Sequence, residues 1–187
     1  RLLVDRDPRP PIVVDPVMVA STGHRLLDPQ AERVLAEELL PLATLVTPNL
    51  DEAEALAAAQ GAPGAEAWAA GCAVAVLLTG GDRIDATADT SEQITDVLFL
   101  PTTRGSKPAR RWTHPHQGAR PFHGTGCTLS SAIAAHLALG HPLQQAVDGG
   151  IRYVQRLIGA TMRRGSVGGG NPPLLHGVAE LRGPGAP

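Results

Sequence analysis

Short apolar runs alternate with stretches of helical periodicity along this chain, and that alternation constrains the fold more than any other feature. Ile12–Asp15, Ala43–Thr47, Ala73–Thr79 and Ile94–Leu100 are too short for stable helices and read as strands. The first and third are almost wholly apolar, as strands buried on both faces must be. Between them lie helical patterns with recognisable start signals. Asp28-Pro29 offers a capping carboxylate followed by proline at the first helical position, with Ala31, Val34, Leu35 and Leu39 expected on one face and Pro41 as the stop. Asn49 opens the next helix, with Glu52 three residues on at capping-box spacing and Ala53, Leu56 and Ala57 as its apolar stripe. A short Ala-rich helix spans Ala62–Cys72. Such alternation predicts an α/β layered sheet with helices on both faces.

The second half of the chain turns on His123–Ser131, which reads HGTGCTLSS. Gly124 and Gly126 flank Thr125, and an apolar helical run to about Leu139 follows, closed by Gly140. A glycine turn feeding a helix leaves the first amides without intrahelical partners, and the helix dipole adds positive potential there. Together they suit an anion, typically a phosphate. Cys127 falls in the first helical turn, where a thiol is expected to ionise more easily than a free one because the dipole stabilises the thiolate. The same letters also fit an ordinary glycine turn beside a small packed thiol, and locally both readings stand. Pro142 starts a long last helix with Val147, Ile151, Val154 and Ile158 in register, and Gly149-Gly150 inside it suggests close packing against a neighbour.

Composition excludes several classes. Net charge is −2, which gives no general attraction to nucleic acid or an anionic membrane. Aromatics make up 3%, too few for base-stacking platforms. No apolar run is long enough to span a membrane. Cys72 and Cys127 do not form a disulfide framework, and a cytoplasmic setting is expected. With 43% hydrophobic and 18% charged residues, one globular domain over residues 1–176 is expected, and the tail 177–187, rich in Gly and Pro, is expected to be disordered.

HGTGCTLSSAIAAHLA resembles the anion-hole segment of the hydroxymethylpyrimidine/phosphomethylpyrimidine kinases, the thiamin-pathway branch of the ribokinase-like superfamily. Val13–Asp28 (VVDPVMVASTGHRLLD) and Leu45–Leu56 (LVTPNLDEAEAL) resemble two further segments of that family, in the same order. The resemblance runs from about Ile12 to His176 and implies a ribokinase-like, mostly parallel sheet. It also implies ATP and Mg²⁺ as phosphoryl donor and cofactor, a small pyrimidine as acceptor, and a homodimer at full length. The family's N-terminal strands and glycine-rich turn have no counterpart here, so the fold is expected to lack its N-terminal part.

Residue roles follow from the matched positions. Cys127 is implied as catalytic base, where most ribokinase-like sugar kinases have aspartate. Gly124, Thr125 and Gly126 are implied as the anion hole. Val17 matches a valine that lines the pyrimidine pocket. Glu52, in the asparagine-x-x-glutamate motif, is implied to organise Mg²⁺ and its waters; Glu54 is out of motif. Asp15 ends the first strand, where open α/β sheets place ligands, and is the second candidate metal carboxylate; a turn cap before Pro16 is its plain alternative. Thr79 and Gly81 take the phosphate-facing strand end, where the family often has lysine. A hydroxyl there can hydrogen-bond a phosphate but brings no charge.

Three things stay open. Pro101–Pro121, with Arg104, Lys107, Arg110, Arg111 and Arg120, reads most simply as a solvated loop, and His114 and His116 are not spaced as a metal site. His176 follows a Gly-rich turn but carries no assigned role. A pyridoxal kinase would share the glycine turn and the DPVM segment, and a non-catalytic remnant that binds nucleotide would share the rest.

Overall fold

The computed structural model describes residues 5–19, 24, 26–80, 93–102, 105–115, 122–164 and 172–177. These form two compact units, Arg1–His116 and Gln117–Pro187.

The first unit is built on five strands: β1 (Val13–Val14), β2 (Leu45–Val46), β3 (Ala75–Leu78), β4 (Gln93–Thr102) and β5 (Gly105–Pro115), hydrogen-bonded in that order. β1–β2 and β2–β3 are parallel, and β3–β4 and β4–β5 are antiparallel. The α/β expectation holds, but the described sheet is mixed rather than mostly parallel. The reason is β5. Gly105–Pro115 lies inside the segment read as a solvated loop, yet it pairs with β4 along its whole length, with one register shift at Leu98/Phe99. Lys107, Arg110 and Arg111 are exposed, and the Arg110 guanidinium stacks 4.8 Å above the Trp112 ring. Charged residues and Pro108 are tolerated because β5 is an edge of the described sheet, with one ladder to satisfy.

Three helices serve this sheet: α1 (Pro29–Val34), α2 (Leu50–Ala59) and α3 (Ala65–Gly71). α1 starts as expected, with Asp28 Oδ1 accepting the Ala31 N–H at 2.8 Å. It then widens into a π-type segment, Leu35–Leu39, and a 3₁₀ turn, Leu40–Leu42. The change of pitch moves the buried face: Ala36 and Leu40 are buried, whereas Val34 and Leu39, expected inside, lie exposed. α2 buries Ala53, Leu56 and Ala57, the stripe read from the sequence. These side chains pack with Trp68 and Ala69 of α3 against Val46, Val76, Leu78, Val97 and Phe99. The alternate strand residues, Leu45, Ala75, Leu77 and Leu98, are buried as well, which accounts for the continuous apolar runs.

The second unit is a helix pair, α4 (Thr125–Ala138) and α5 (Leu143–Arg164). α4 begins two residues earlier than Cys127 and ends before Gly140, which has φ +84°. A Cβ on Gly150 would sit 2.6 Å from Ile133 Cγ1, and one on Gly149 2.4 Å from His136 Nε2. The paired glycines therefore let the helices approach closely, as the sequence suggested.

Candidate active site

Because β1, β2 and β3 run parallel, their carboxyl ends lie along one edge of the sheet, the place where such sheets position ligands. Asp15 follows β1, Asn49 follows β2 and caps α2, and Thr79 follows β3. The three ends are tied to each other. The Thr47 N–H donates to the Val14 carbonyl at 3.0 Å. The Thr79 N–H and hydroxyl both donate to the Pro48 carbonyl, at 2.9 and 3.3 Å. Thr79 also forms a parallel bridge with Asn49.

Glu52 is part of this edge. Its carboxylate accepts the Asn49 N–H, and Asn49 in turn accepts the Glu52 N–H, so the capping box is complete. Burial, chiefly, pushes the Glu52 carboxyl up to about 7; the Asn49 amide opposes this, the Asp15 charge adds to it, and the Met18 amide and Asp51 contribute lesser opposing effects. Asp15, just past the end of β1, is near enough for its charge to act on Glu52. Val17 is half-buried just beyond, beside the buried Met18. Gly81, Ser21, Thr22, Gly23, Arg104, His116 and Arg120 lie outside the described residues, as does the tail beyond Gly177.

Sequence reading missed two residues of this unit. Asp96 of β4 is buried, accepts the Gly80 N–H through Oδ1 at 3.1 Å, and places Oδ2 3.0 Å from His114 Nε2 on β5. An aspartate inside the apolar run Ile94–Leu100 was the signal available, since an unpartnered charge is not found there.

In the second unit, Gly124 takes φ +83°, the left-handed conformation that favours glycine, and serves as N-cap of α4. No side chain caps this helix, and its ladder begins with the Thr128 N–H donating to the Gly124 carbonyl at 2.9 Å. The amides of Thr125, Gly126 and Cys127 thus precede the ladder. Cys127 is exposed and is a free thiol. Beside it opens a cavity of about 680 Å³ whose walls include Gly124, Cys127, Ser131, His136, Tyr153 and His176. The segment carrying His176 is held close by the His123 N–H, which donates to the Pro172 carbonyl at 3.1 Å, and by the Leu175 N–H, which donates to Thr161 Oγ1 at 3.1 Å. His176 Nε2 lies 3.5 Å from Thr128 Oγ1, which places a residue without an assigned role on the wall shared with Cys127.

Comparison with known proteins shows the family. Residues 1–173 match the family model described as phosphomethylpyrimidine kinase. The chain is 44% identical over 166 residues to a hydroxymethylpyrimidine/phosphomethylpyrimidine kinase of Rhizobium meliloti, covering 88% of this chain and 60% of that protein. A kinase of the same name from Haemophilus influenzae is 34% identical over 173 residues, with the same coverage. Among solved structures, the pyridoxal kinase from Staphylococcus aureus in complex with ADP aligns with a TM-score of 0.68 at 28% identity, over 92% of this chain and 60% of that one. The phosphomethylpyrimidine kinase of Clostridium difficile aligns at 0.54 and 30% identity, over 81% and 58%. The chain therefore spans about 60% of the length of the relatives it matches. With the family model covering nearly the whole chain and the glycine turn, capping box and strand ends in place, the chain belongs to the phosphomethylpyrimidine kinase family.

Proposed function

We propose that this chain carries the phosphoryl-transfer machinery of a hydroxymethylpyrimidine/phosphomethylpyrimidine kinase. The acceptor is the hydroxymethyl group of 4-amino-5-hydroxymethyl-2-methylpyrimidine and then the phosphate of its monophosphate; the donor is ATP. The observation that carries this reading is the exposed Cys127 thiol in the first turn of α4, among amides that precede the helical ladder and beside an open cavity.

Phosphoryl transfer depends on positioning and charge neutralisation more than on covalent help. Cys127 as thiolate takes the acceptor's hydroxyl proton, the freed oxygen bonds to the γ-phosphorus, and the bond to the β-phosphate oxygen breaks to release ADP. The amides of Thr125, Gly126 and Cys127 hold the charge that grows on the transferred group. Thr79 stands at the phosphate end of β3, where its hydroxyl would turn its one proton from the Pro48 carbonyl to a phosphate oxygen, and Val17 lines the pyrimidine side. Glu52 and Asp15 suit Mg²⁺, whose preference for water and phosphate oxygens needs only one or two carboxylates from the protein. Asp15 just past the end of β1 and Glu52 in the first turn of α2 bring hard oxygen donors to the edge where the parallel strands end, a donor set that suits this cation. When bound, Mg²⁺ neutralises phosphate charge. Both cysteines are free thiols, in keeping with a reducing compartment such as the cytoplasm.

The test is a substrate panel with ATP and Mg²⁺, run on the chain together with any coding sequence that precedes Arg1 in frame. Transfer to hydroxymethylpyrimidine is expected. Transfer to pyridoxal alone would favour the second reading, which the TM-score of 0.68 with a pyridoxal kinase supports. Nucleotide binding with no transfer to either would make the chain a binding remnant.

A further inference from the structure

Asp96 is the buried carboxylate among the described residues, and burying a charge is costly unless it is paired and hydrogen-bonded. Here both oxygens are used, and by different elements. Oδ1 accepts the Gly80 N–H at 3.1 Å, just past the end of β3. Oδ2 lies 3.0 Å from Nε2 of His114, itself 15% exposed, on β5. In the β4–β5 ladder Ile94 pairs with His114 and Asp96 with Trp112, so Asp96 and His114 are diagonal neighbours on one face. Gly80 presses against β4 so closely that a Cβ would come 2.6 Å from the Thr95 carbonyl oxygen. On its other side the turn is held through Thr79, whose N–H and hydroxyl are both donated to Pro48.

We infer that Asp96 and His114 are a positioning pair for the Thr79-Gly80 strand end. The hairpin supplies the second of two clamps on that turn. Pro48 and Asn49 fix it from the β2 side, and Asp96, itself oriented by His114, fixes it from the β4–β5 side. The inference rests on the reading above, in which Thr79 faces nucleotide phosphates. The role of the hairpin is then to hold the Thr79-Gly80 backbone in place, so that the Thr79 hydroxyl can turn its one proton from Pro48 to a phosphate where the family often uses a lysine. A hydroxyl attracts no phosphate over distance, so its value depends on being held within hydrogen-bond reach.

The experiment compares His114→Leu, His114→Gln and Asp96→Asn with the parent in the full chain. Gln can place its amide N–H near the position of Nε2, and Asn can still accept the Gly80 N–H. Three quantities are read: ADP affinity by titration calorimetry, hydrogen–deuterium exchange over residues 76–80, and the melting temperature. For His114→Leu, ADP affinity is expected to fall about fivefold, the order of one lost hydrogen bond, with faster exchange at Gly80. His114→Gln and Asp96→Asn should recover most of both. In a kinase assay the KM for ATP should rise in the leucine variant while the KM for the acceptor holds, a split that general destabilisation does not produce. If the parent binds ADP and His114→Leu binds it equally well, the inference is wrong and the reading above survives. If the leucine variant melts lower but its exchange at Gly80 and its ADP affinity per folded molecule are unchanged, the pair is only structural. If the parent itself binds no ADP, the reading above falls and the inference falls with it.

Discussion

Asn49 and Glu52 cap the same helix from both directions: the Glu52 N–H donates to Asn49 Oδ1 at 2.8 Å, and the Asn49 N–H donates to Glu52 Oε2 at 2.9 Å. One carboxylate therefore has a structural duty at the start of α2 and stands at the strand edge, within reach of the Asp15 charge. The two duties can be separated, because glutamine also closes a capping box.

Glu52→Gln should keep the cap and remove the charge. Below pH 4.5, where Glu52 is protonated, its unfolding free energy is expected to stay within about 0.5 kcal/mol of the parent, whereas Glu52→Ala should lose about 1 kcal/mol with the cap; at neutral pH the glutamine variant should be more stable than the parent. The Mg²⁺ concentration needed for half-maximal rate should rise in the glutamine variant. Urea unfolding and a Mg²⁺ titration of the kinase rate measure the two effects. Equal Mg²⁺ dependence in parent and Glu52→Gln would leave capping as the whole role of Glu52.

The pH dependence of stability follows from the same residue. Held at about 7 in the folded chain, the Glu52 carboxyl lies above its ordinary 4.5, so the folded chain holds this proton more tightly than the unfolded one. Stability from Glu52 is then fully present below 4.5 and is lost as pH rises through about 7. Glu52→Gln should flatten the fall in melting temperature over that interval, measured by thermal scans at several pH values. A slope unchanged by the substitution would assign the pH dependence to other groups.

Cys127→Ala should lower the turnover number by about two orders of magnitude or more, the usual scale for losing a general base. ADP binding should change little, since the amides of the first turn of α4 come from the backbone. Steady-state kinetics beside calorimetry checks this. Undiminished turnover would make Cys127 an ordinary surface thiol.

The helix pair offers a contrast between adjacent glycines. In Gly149→Ala the new methyl meets the ring end of His136, which can swing aside, and the gain in helix propensity offsets the remaining strain. That variant should unfold within about 0.5 kcal/mol of the parent. In Gly150→Ala the methyl meets Ile133 Cγ1 at 2.6 Å, on a residue with no exposed surface, and overpacking of this kind costs about 1–3 kcal/mol. Denaturant unfolding of the two variants side by side should separate them clearly. Equal stabilities would mean that α4 and α5 adjust by sliding rather than by local strain.

Local chemistry was legible in the sequence wherever one segment holds all of its causes. The Asp28-Pro29 start, the Asn49–Glu52 capping box, the Gly140 stop and the Gly124 turn each depend on residues within a few positions, and each is present in the structure. The apolar runs that became β2 and β3 were legible because both of their faces are buried. What tertiary structure decided was which distant groups meet. β5 was hidden because its exposed lysine and arginines are those of a loop, and only the ladder from β4 makes it a strand. The true inner face of the first helix depended on a π-type segment whose pitch no periodicity in the sequence announces. Asp15 and Asn49 come to the same strand edge, and Asp96 meets both Gly80 and His114, because parallel pairing of β1 to β3 aligns three strand ends and the antiparallel hairpin folds back beside them. Sequence carries the preferences of each segment; the pairing of strands far apart in the chain selects which groups are buried and which become neighbours, and with them the burial that raises the Glu52 carboxyl and the hold on the Thr79-Gly80 turn.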